Sequence, residues 1–133
     1  MESQELAGVR VLVIEDELLV ALNLETVLLE AGCEVIGPIA SLQAALKASA
    51  SEEADLAILD INLRGEEVFP AAHILRERGI PLIFCSGYSD AQTLPEPFRS
   101  FQKLGKPYGA TEVRDAMRRV LTAREKGLTS TGS

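Results

Sequence analysis

Residue types used in phosphate chemistry follow four of the short apolar runs of this sequence. In chain order they are the acidic triplet Glu15-Asp16-Glu17, then Asp60, Ser86 and Lys106. Carboxylates brought close together repel one another, which raises their pKa values unless a cation lies between them. Mg²⁺ suits such a place because it binds carboxylate oxygens and needs few protein ligands. A carboxylate nucleophile, a metal ion, an ammonium group and a hydroxyl together would support phosphoryl transfer through an aspartyl-phosphate.

None of these segments is specific by itself. An acidic pair usually lies in a solvated turn, and an aspartate after an apolar run can cap a helix. Ser-Gly is a common turn, and lysine is the default surface residue. What favours a shared site is that the segments occur together, each after a predicted strand.

Five apolar runs predict the strands that must position these residues. They cover residues 9–14, 33–37, 55–59, 80–85 and 101–104, and the first four are rich in Val, Ile and Leu with little alternation. Helical patterns lie at 17–31, after the capping residue Ser41, at 66–78 and around 113–121, with Gly32 and Gly79 as stops. This order predicts an α/β fold, a doubly wound parallel sheet with helices on both faces. In such sheets the carboxyl ends of the strands share one edge, where ligands bind.

Composition sets the class of protein. The chain has 133 residues, enough for one domain with its own core. Its net charge of −7 argues against a bare nucleic-acid binder, and no apolar stretch approaches the roughly 20 residues of a membrane span. Cys33 and Cys85 lie in apolar runs without a C-x-x-C spacing, which predicts free, buried thiols in the reducing cytoplasm.

Four motifs, in this order and at these spacings, resemble the receiver domain of bacterial two-component response regulators (the CheY-like family). They are Val-Leu-Val-Ile-Glu-Asp-Glu at 11–17, Leu-Ala-Ile-Leu-Asp-Ile-Asn-Leu at 56–63, Phe-Cys-Ser-Gly-Tyr at 84–88 and Lys-Pro-Tyr at 106–108. The resemblance implies a flavodoxin-like three-layer sandwich with five strands in the order 2-1-3-4-5. It implies a receiver domain at residues 9–124, between an N-terminal tail at 1–8 and a disordered tail at 125–133.

The resemblance also implies a role for each residue of the site. Asp60 would accept a phosphoryl group from a phosphohistidine, Ser86 would hydrogen-bond a phosphoryl oxygen, and Lys106 would pair with the phosphoryl group. The peptide bond before Pro107 would be cis, as in the family. The implied Mg²⁺ ligands are three carboxylates and one main-chain oxygen: Asp16, Asp60, Glu15 (directly or through water) and the backbone carbonyl of Asn62.

The implied protein is a stoichiometric phosphoacceptor rather than an enzyme, with at most slow self-dephosphorylation. Its phosphoryl donor would be a sensor histidine kinase or a histidine phosphotransfer protein of a bacterial cytoplasm. Phosphorylation would change its conformation to regulate a downstream protein partner, and direct binding to nucleic acid or a membrane is not expected. The helical stretch at 18–29 has few polar residues, so a partner groove or a homodimer interface there is an alternative to burial within the monomer.

Two features depart from the family pattern. Lys103 stands three positions before Lys106, where family members usually carry an aromatic residue that rotates on activation. Pro95 and Pro97 interrupt the segment expected to form the fourth helix. The motif at 84–88 is similar to that of a subgroup with a Phe-Ala-Thr-Gly-Tyr-like motif, which also lacks this aromatic. We therefore expect the loop at 86–100 to be mobile and to carry the conformational response.

Three other functions stay open at this point. A degenerate receiver would keep the fold and serve only as a protein-interaction module. A haloacid-dehalogenase-like phosphatase also uses an aspartyl nucleophile and Mg²⁺, but it needs an acid two residues after the nucleophile, where this chain has Asn62. A flavodoxin needs a hydroxyl- and glycine-rich phosphate loop after the first strand, where Glu15-Asp16-Glu17 would repel a phosphate.

Overall fold

The computed structural model describes residues 6–87 and 94–125. Within these residues the strands are β1 (Arg10–Ile14), β2 (Glu34–Ile39), β3 (Leu56–Asp60), β4 (Asn62–Leu63), β5 (Glu66–Glu67), β6 (Leu82–Ser86) and β7 (Gln102–Gly105). The helices are α1 (Leu18–Glu30), α2 (Leu42–Ser51), α3 (Phe69–Glu77) and α4 (Ala110–Glu125). Each of the five predicted strands is present, with bounds that differ from the predicted ones by at most two residues.

The strands β2, β1, β3, β6 and β7 form a parallel sheet in that order. The strands β4 and β5 form a separate hairpin, so β6 and β7 are the fourth and fifth strands of the sheet. The observed order is therefore the predicted 2-1-3-4-5. The central strands β1, β3 and β6 are almost wholly buried, which explains why apolar residues fill them without alternation.

Side chains alternate between the two faces of the sheet and build two core layers. On one face Leu59 and Phe84 pack with residues of α2 and α3. On the other face Ile58 and Ile83 pack with residues of α1 and α4. The result is the expected flavodoxin-like sandwich of helices, sheet and helices.

Most helix ends lie where the sequence signals predicted them. The Ser41 hydroxyl oxygen accepts a hydrogen bond from the Ala44 N–H (3.2 Å) at the start of α2. The first helix ends just before Gly32, which adopts a φ of 87°. The last amphipathic pattern forms α4, which buries Val113 and Met117 against the sheet.

The predicted helix at 66–78 is wrong at its first turn. There β5 pairs with β4 in an antiparallel hairpin, and α3 begins only at Phe69. The turn residues Arg64 and Gly65 have φ values of 51° and 86°, the left-handed region that a two-residue hairpin loop uses. Asn62 Oδ1 also accepts a hydrogen bond from the Gly65 N–H (2.8 Å). This local turn chemistry outweighs the helical preference of the two glutamates that follow.

The helix α1 is apolar on two faces. Leu24 and Leu28 are buried against the sheet, whereas Leu18, Leu19 and Leu22 are exposed. The apolar surplus expected from the sequence is therefore only partly covered by the core. In the part of the chain that the structure describes, no helix has the length and apolar character needed to cross a bilayer.

Some expectations fall outside the described residues. They concern residues 1–5 of the N-terminal tail, the last residue of the motif at 84–88, the centre of the loop at 86–100, and residues 126–133 of the C-terminal tail. The described end of that loop, residues 94–100, forms turns, and Phe98 is buried there. Cys33 and Cys85 are free and buried, as predicted.

Candidate functional site

The carboxyl ends of β1, β3, β6 and β7 meet at one edge of the sheet, as parallel pairing requires. Glu15 directly follows β1, Asp60 and Ser86 end β3 and β6, and Lys106 directly follows β7. The strand register pairs Asp60 with Cys85, the residue before Ser86. The Lys106 N–H donates to the Ser86 carbonyl (2.8 Å), which joins the ends of β6 and β7. The four segments predicted to converge therefore do so.

The Lys106 ammonium lies among three carboxylates. Its Nζ is 3.1 Å from an oxygen of each of Asp60, Glu15 and Glu17. The Lys106, Glu15 and Asp60 side chains are only 14%, 2% and 5% exposed, whereas the Glu17 side chain is 63% exposed. An ammonium has three N–H donors, enough to serve one carboxylate each. Lys106 thus partly neutralises a negative cluster that would otherwise be costly to bury.

Burial also shifts the protonation of this cluster. It raises the pKa of Asp60 from 3.8 to about 7, with a further increase from the Glu15 charge, while the Lys106 ammonium opposes both. Burial lowers the pKa of Lys106, but the neighbouring carboxylates outweigh burial, and the pKa is raised above its ordinary value. In the metal-free protein Lys106 is therefore a cation at neutral pH, and Asp60 is close to its titration midpoint.

Three carboxylates are arranged so that they can share a cation. Glu15, Asp16 and Asp60 each offer one oxygen, and these atoms lie within 4.8 Å of one another. Asp16 Oδ2 accepts a hydrogen bond from the Arg64 N–H (2.9 Å), which ties this carboxylate to the β4–β5 turn. Hard oxygen donors with excess negative charge fit Mg²⁺. The structure thus brings together three of the residues predicted as ligands.

Two other predicted groups lie at the same edge of the sheet. Asn62 begins β4, its side-chain oxygen accepts a hydrogen bond from the Gly65 N–H, and the ligand role of its backbone carbonyl stays a prediction. Ser86 is half-buried at the end of β6, and the bond from its hydroxyl to a phosphoryl oxygen stays a prediction. The Lys106–Pro107 peptide bond is cis, as the resemblance implied.

The strand beside the site has no aromatic residue of its own. Lys103 is exposed on β7, at the position where an aromatic was expected from the family pattern. The preceding aromatic, Phe101, is buried, with its ring centroid 6.2 Å from that of Phe84 and 5.2 Å from that of Phe98. These rings belong to the core layer on one face of the sheet rather than to its surface.

Glu17 is a member of the site to which the sequence motifs assign no role, although the acidic triplet contains it. Its carboxylate pairs with Lys106, and its N–H donates to Glu15 Oε2 (3.0 Å). Its place in the acidic triplet that directly follows β1, two residues after Glu15, is the sequence signal that could have found it.

A groove of about 460 Å³ borders the site. It is lined by Leu19 and Val20 of α1 on one side, by Pro107 and Tyr108 on the other, and by Lys106. One exposed leucine of α1, Leu19, therefore lines the same groove as Lys106. Burial of the Tyr108 hydroxyl raises its pKa, with Cys85 as the next contributor, so this phenol is uncharged at neutral pH.

Residues 11–123 match the family model of the response regulator receiver domain, which acts in two-component signalling. The match covers most of the chain, so the chain belongs to this family. Receiver domains bind Mg²⁺ in an acidic pocket, interact with histidine kinases or phosphotransfer proteins, and are generally not catalytic enzymes. Membership decides against the phosphatase and flavodoxin alternatives. No curated protein matches the chain significantly.

Solved receiver structures are similar to the chain over most of its length. SdrG from Sphingomonas melonis Fr1 is 35% identical, with a TM-score of 0.76 over 84% of this chain and 94% of that chain. SdrG has also been solved in a BeF3-activated conformation, again at 35% identity. The REC domain of the response regulator PhyR from Erythrobacter litoralis is 27% identical, with a TM-score of 0.72 over 89% of this chain and 93% of that chain.

A more distant structure shares the fold. It is the receiver domain of the sensor histidine kinase PA1611 from Pseudomonas aeruginosa PAO1, with a magnesium ion coordinated in its active-site cleft. It is 20% identical, with a TM-score of 0.72 over 87% of this chain and 99% of that chain, which establishes the likeness of fold alone.

Proposed function

We propose that this receiver is phosphorylated on Asp60 in a Mg²⁺-dependent step and then regulates a protein partner through a change of conformation. The donor is the phosphohistidine of a sensor histidine kinase or of a histidine phosphotransfer protein. The observation that carries the proposal is the buried Asp60 carboxylate, 3.1 Å from the Lys106 ammonium and next to two further acidic residues at one edge of the sheet.

The transfer uses Asp60 as the nucleophile. A carboxylate oxygen of Asp60 forms a bond to phosphorus, the P–N bond of the donor breaks, and its electron pair returns to the imidazole nitrogen. Asp60 must be ionised to attack, and the Lys106 ammonium favours that form against burial. Bound Mg²⁺ would supply positive charge that offsets the carboxylates and the charge of the transferred oxygens. Glu15, Asp16, Asp60 and the Asn62 carbonyl would hold it.

After transfer, the aspartyl-phosphate gives Lys106 and Ser86 a new anion to bind. Lys106 pairs with the phosphoryl oxygens, and the Ser86 hydroxyl donates a hydrogen bond to one of them. Both residues are already joined through the main chain, since the Lys106 N–H donates to the Ser86 carbonyl. A shift of either residue is therefore passed to the segment that follows β6, which we propose carries the response.

The donor must bring its histidine within bonding distance of Asp60, so its surface has to cover this edge of the molecule. Leu19 of α1 lines the groove that also contains Lys106, and Leu18 and Leu22 of the same helix are exposed. We propose that the donor packs on this apolar surface, and a homodimer through α1 is the alternative occupant. The free, buried cysteines support a cytoplasmic location.

Intact-mass measurement after incubation with acetyl phosphate tests the proposal. The parent protein is expected to gain one phosphoryl group when Mg²⁺ is present and none with a chelator. Asp60→Asn should not be labelled, whereas Asp115→Asn, which removes a carboxylate from α4, should be labelled like the parent. Labelling of Asp60→Asn at the parent rate would show that another residue is the nucleophile.

The same experiment distinguishes the second candidate, a receiver that serves only as a protein-interaction module. Lys103 favours this candidate because it replaces the aromatic residue on which the family response usually depends. A parent protein that stays unlabelled with saturating Mg²⁺ and acetyl phosphate would support it.

A further inference from the structure

We propose that Glu17 is a positioning residue that holds the Lys106 ammonium in the unphosphorylated protein and competes with the phosphoryl group for it. The inference rests on the proposed phosphorylation of Asp60. Its geometric basis is the 3.1 Å contact between Glu17 Oε1 and Lys106 Nζ, which is as short as the contact of Lys106 with Asp60.

The Glu17 side chain is engaged by Lys106 rather than by its own helix. Glu17 occupies the N-cap position of α1, where a side-chain oxygen usually accepts a hydrogen bond from the first turn. Its side chain makes no such bond. Its backbone N–H instead binds Glu15 Oε2, so the residue is anchored to the site through its main chain and contacts the ammonium through its side chain.

The three contacts of Lys106 differ in how easily they can be exchanged. Glu15 is almost fully buried, so a broken contact would leave its charge without water. On transfer the charge of Asp60 passes to the phosphoryl oxygens, which replace its carboxylate as a partner of Lys106. Glu17 is 63% exposed, so its carboxylate regains water when the ion pair opens. An ammonium has three donors, and a phosphoryl group on Asp60 needs at least one of them. Of the two contacts whose carboxylates keep their charge, the one with Glu17 costs less to release when Lys106 turns to the phosphoryl oxygens.

This competition makes Glu17 a determinant of how strongly the site binds a phosphoryl group. Without the contact, Lys106 has one carboxylate partner fewer to release when it pairs with the phosphoryl oxygens. The effect expected for an exposed ion pair is modest, roughly a two- to fivefold gain in affinity for a phosphoryl mimic.

The test measures the affinity of beryllofluoride, a mimic of the aspartyl phosphoryl group, by calorimetry at saturating Mg²⁺. Glu17→Gln removes the charge. Glu17→Asp keeps the charge, but Asp is a preferred N-cap whose shorter carboxylate turns to the α1 N-terminus and withdraws from Lys106. Glu30→Gln, an exposed position near the other end of α1, is the control with the same change of charge.

Both Glu17 variants should bind beryllofluoride roughly two- to fivefold more tightly than the parent, and Glu30→Gln should match the parent. The side-chain NMR signals of Lys106 without beryllofluoride should shift in both Glu17 variants, a readout that general loss of stability would not produce. If only Glu17→Gln binds beryllofluoride more tightly, the gain in affinity comes from the loss of charge, and the positioning role is overturned. Parent-like affinity in both variants would also overturn it while leaving the proposed function intact. A parent that binds no beryllofluoride would overturn both.

Discussion

Replacing Asp60 with asparagine should change how the stability of the Mg²⁺-free protein depends on pH. In the folded protein, burial and the Glu15 charge raise the pKa of Asp60 from 3.8 to about 7. Between these pH values the folded protein holds a proton that the unfolded chain has released. The free energy of unfolding therefore falls as the pH rises through this range, and Asp60→Asn removes this fall.

The size of the effect follows from the same two pKa values. The interval from 3.8 to about 7 corresponds to roughly 4 kcal/mol of unfolding free energy. The Asp60 side chain is only 5% exposed, so solvent screens little of this contribution. Lys106 does not change how stability depends on pH in this range. Because its pKa is raised, it stays protonated, and its contribution to the unfolding free energy is constant until the solution is strongly alkaline.

The measurement is urea unfolding with a chelator present, at pH values from about 4 to about 8. The difference in stability between the parent and Asp60→Asn should shift by several kcal/mol across this range, in favour of the variant at the alkaline end. Asp115→Asn serves as the control for the loss of a carboxylate, and its curve should run parallel to that of the parent. Parallel curves for the parent and Asp60→Asn would refute the electrostatic reasoning.

Three further predictions use the same protein. Asp16→Asn removes a carboxylate from the cation site and should weaken Mg²⁺ binding at least about tenfold in a calorimetric titration, and an unchanged affinity would remove Asp16 from the ligand set. Lys106→Met removes the cation that lowers the pKa of Asp60, so the decrease in unfolding free energy caused by Asp60 ionisation should extend to higher pH. If urea unfolding shows this decrease over the same pH range as in the parent, the ion pair is not formed. Gly65→Ala forces an alanine into a φ of 86° and should cost about 1 kcal/mol of unfolding free energy, whereas a neutral result would contradict the left-handed turn.

The parallel sheet and the position of the site followed from the sequence because one rule governs both, whereas the order of the strands followed from the family resemblance. Unbroken runs of Val, Ile and Leu predict strands buried on both faces, and parallel strands bring their carboxyl ends to one edge. Asp60 follows such a run and Lys106 follows the weaker apolar run at 101–104, so the rule predicted that these two distant residues approach each other. The observed 3.1 Å contact confirms that prediction.

The hairpin at β4–β5 could not be predicted from helical pattern alone. Its turn depends on Arg64 adopting a positive φ, which a non-glycine residue does only when its surroundings favour it. Here Asn62 and Asp16 each accept a hydrogen bond from the turn, through Gly65 and Arg64 respectively. The Asp16 contact joins residues 48 positions apart, so no local window of the sequence contains it.

The hydrogen bond from the Lys106 N–H to the Ser86 carbonyl has a mechanical consequence. It couples the ends of two neighbouring strands through main-chain atoms, which cannot be lost by exchanging a side chain. Under the proposed phosphorylation, a shift of the Lys106 main chain towards the phosphoryl group would displace the Ser86 main chain with it. Such a response would need no rotating ring, which is compatible with a lysine at position 103.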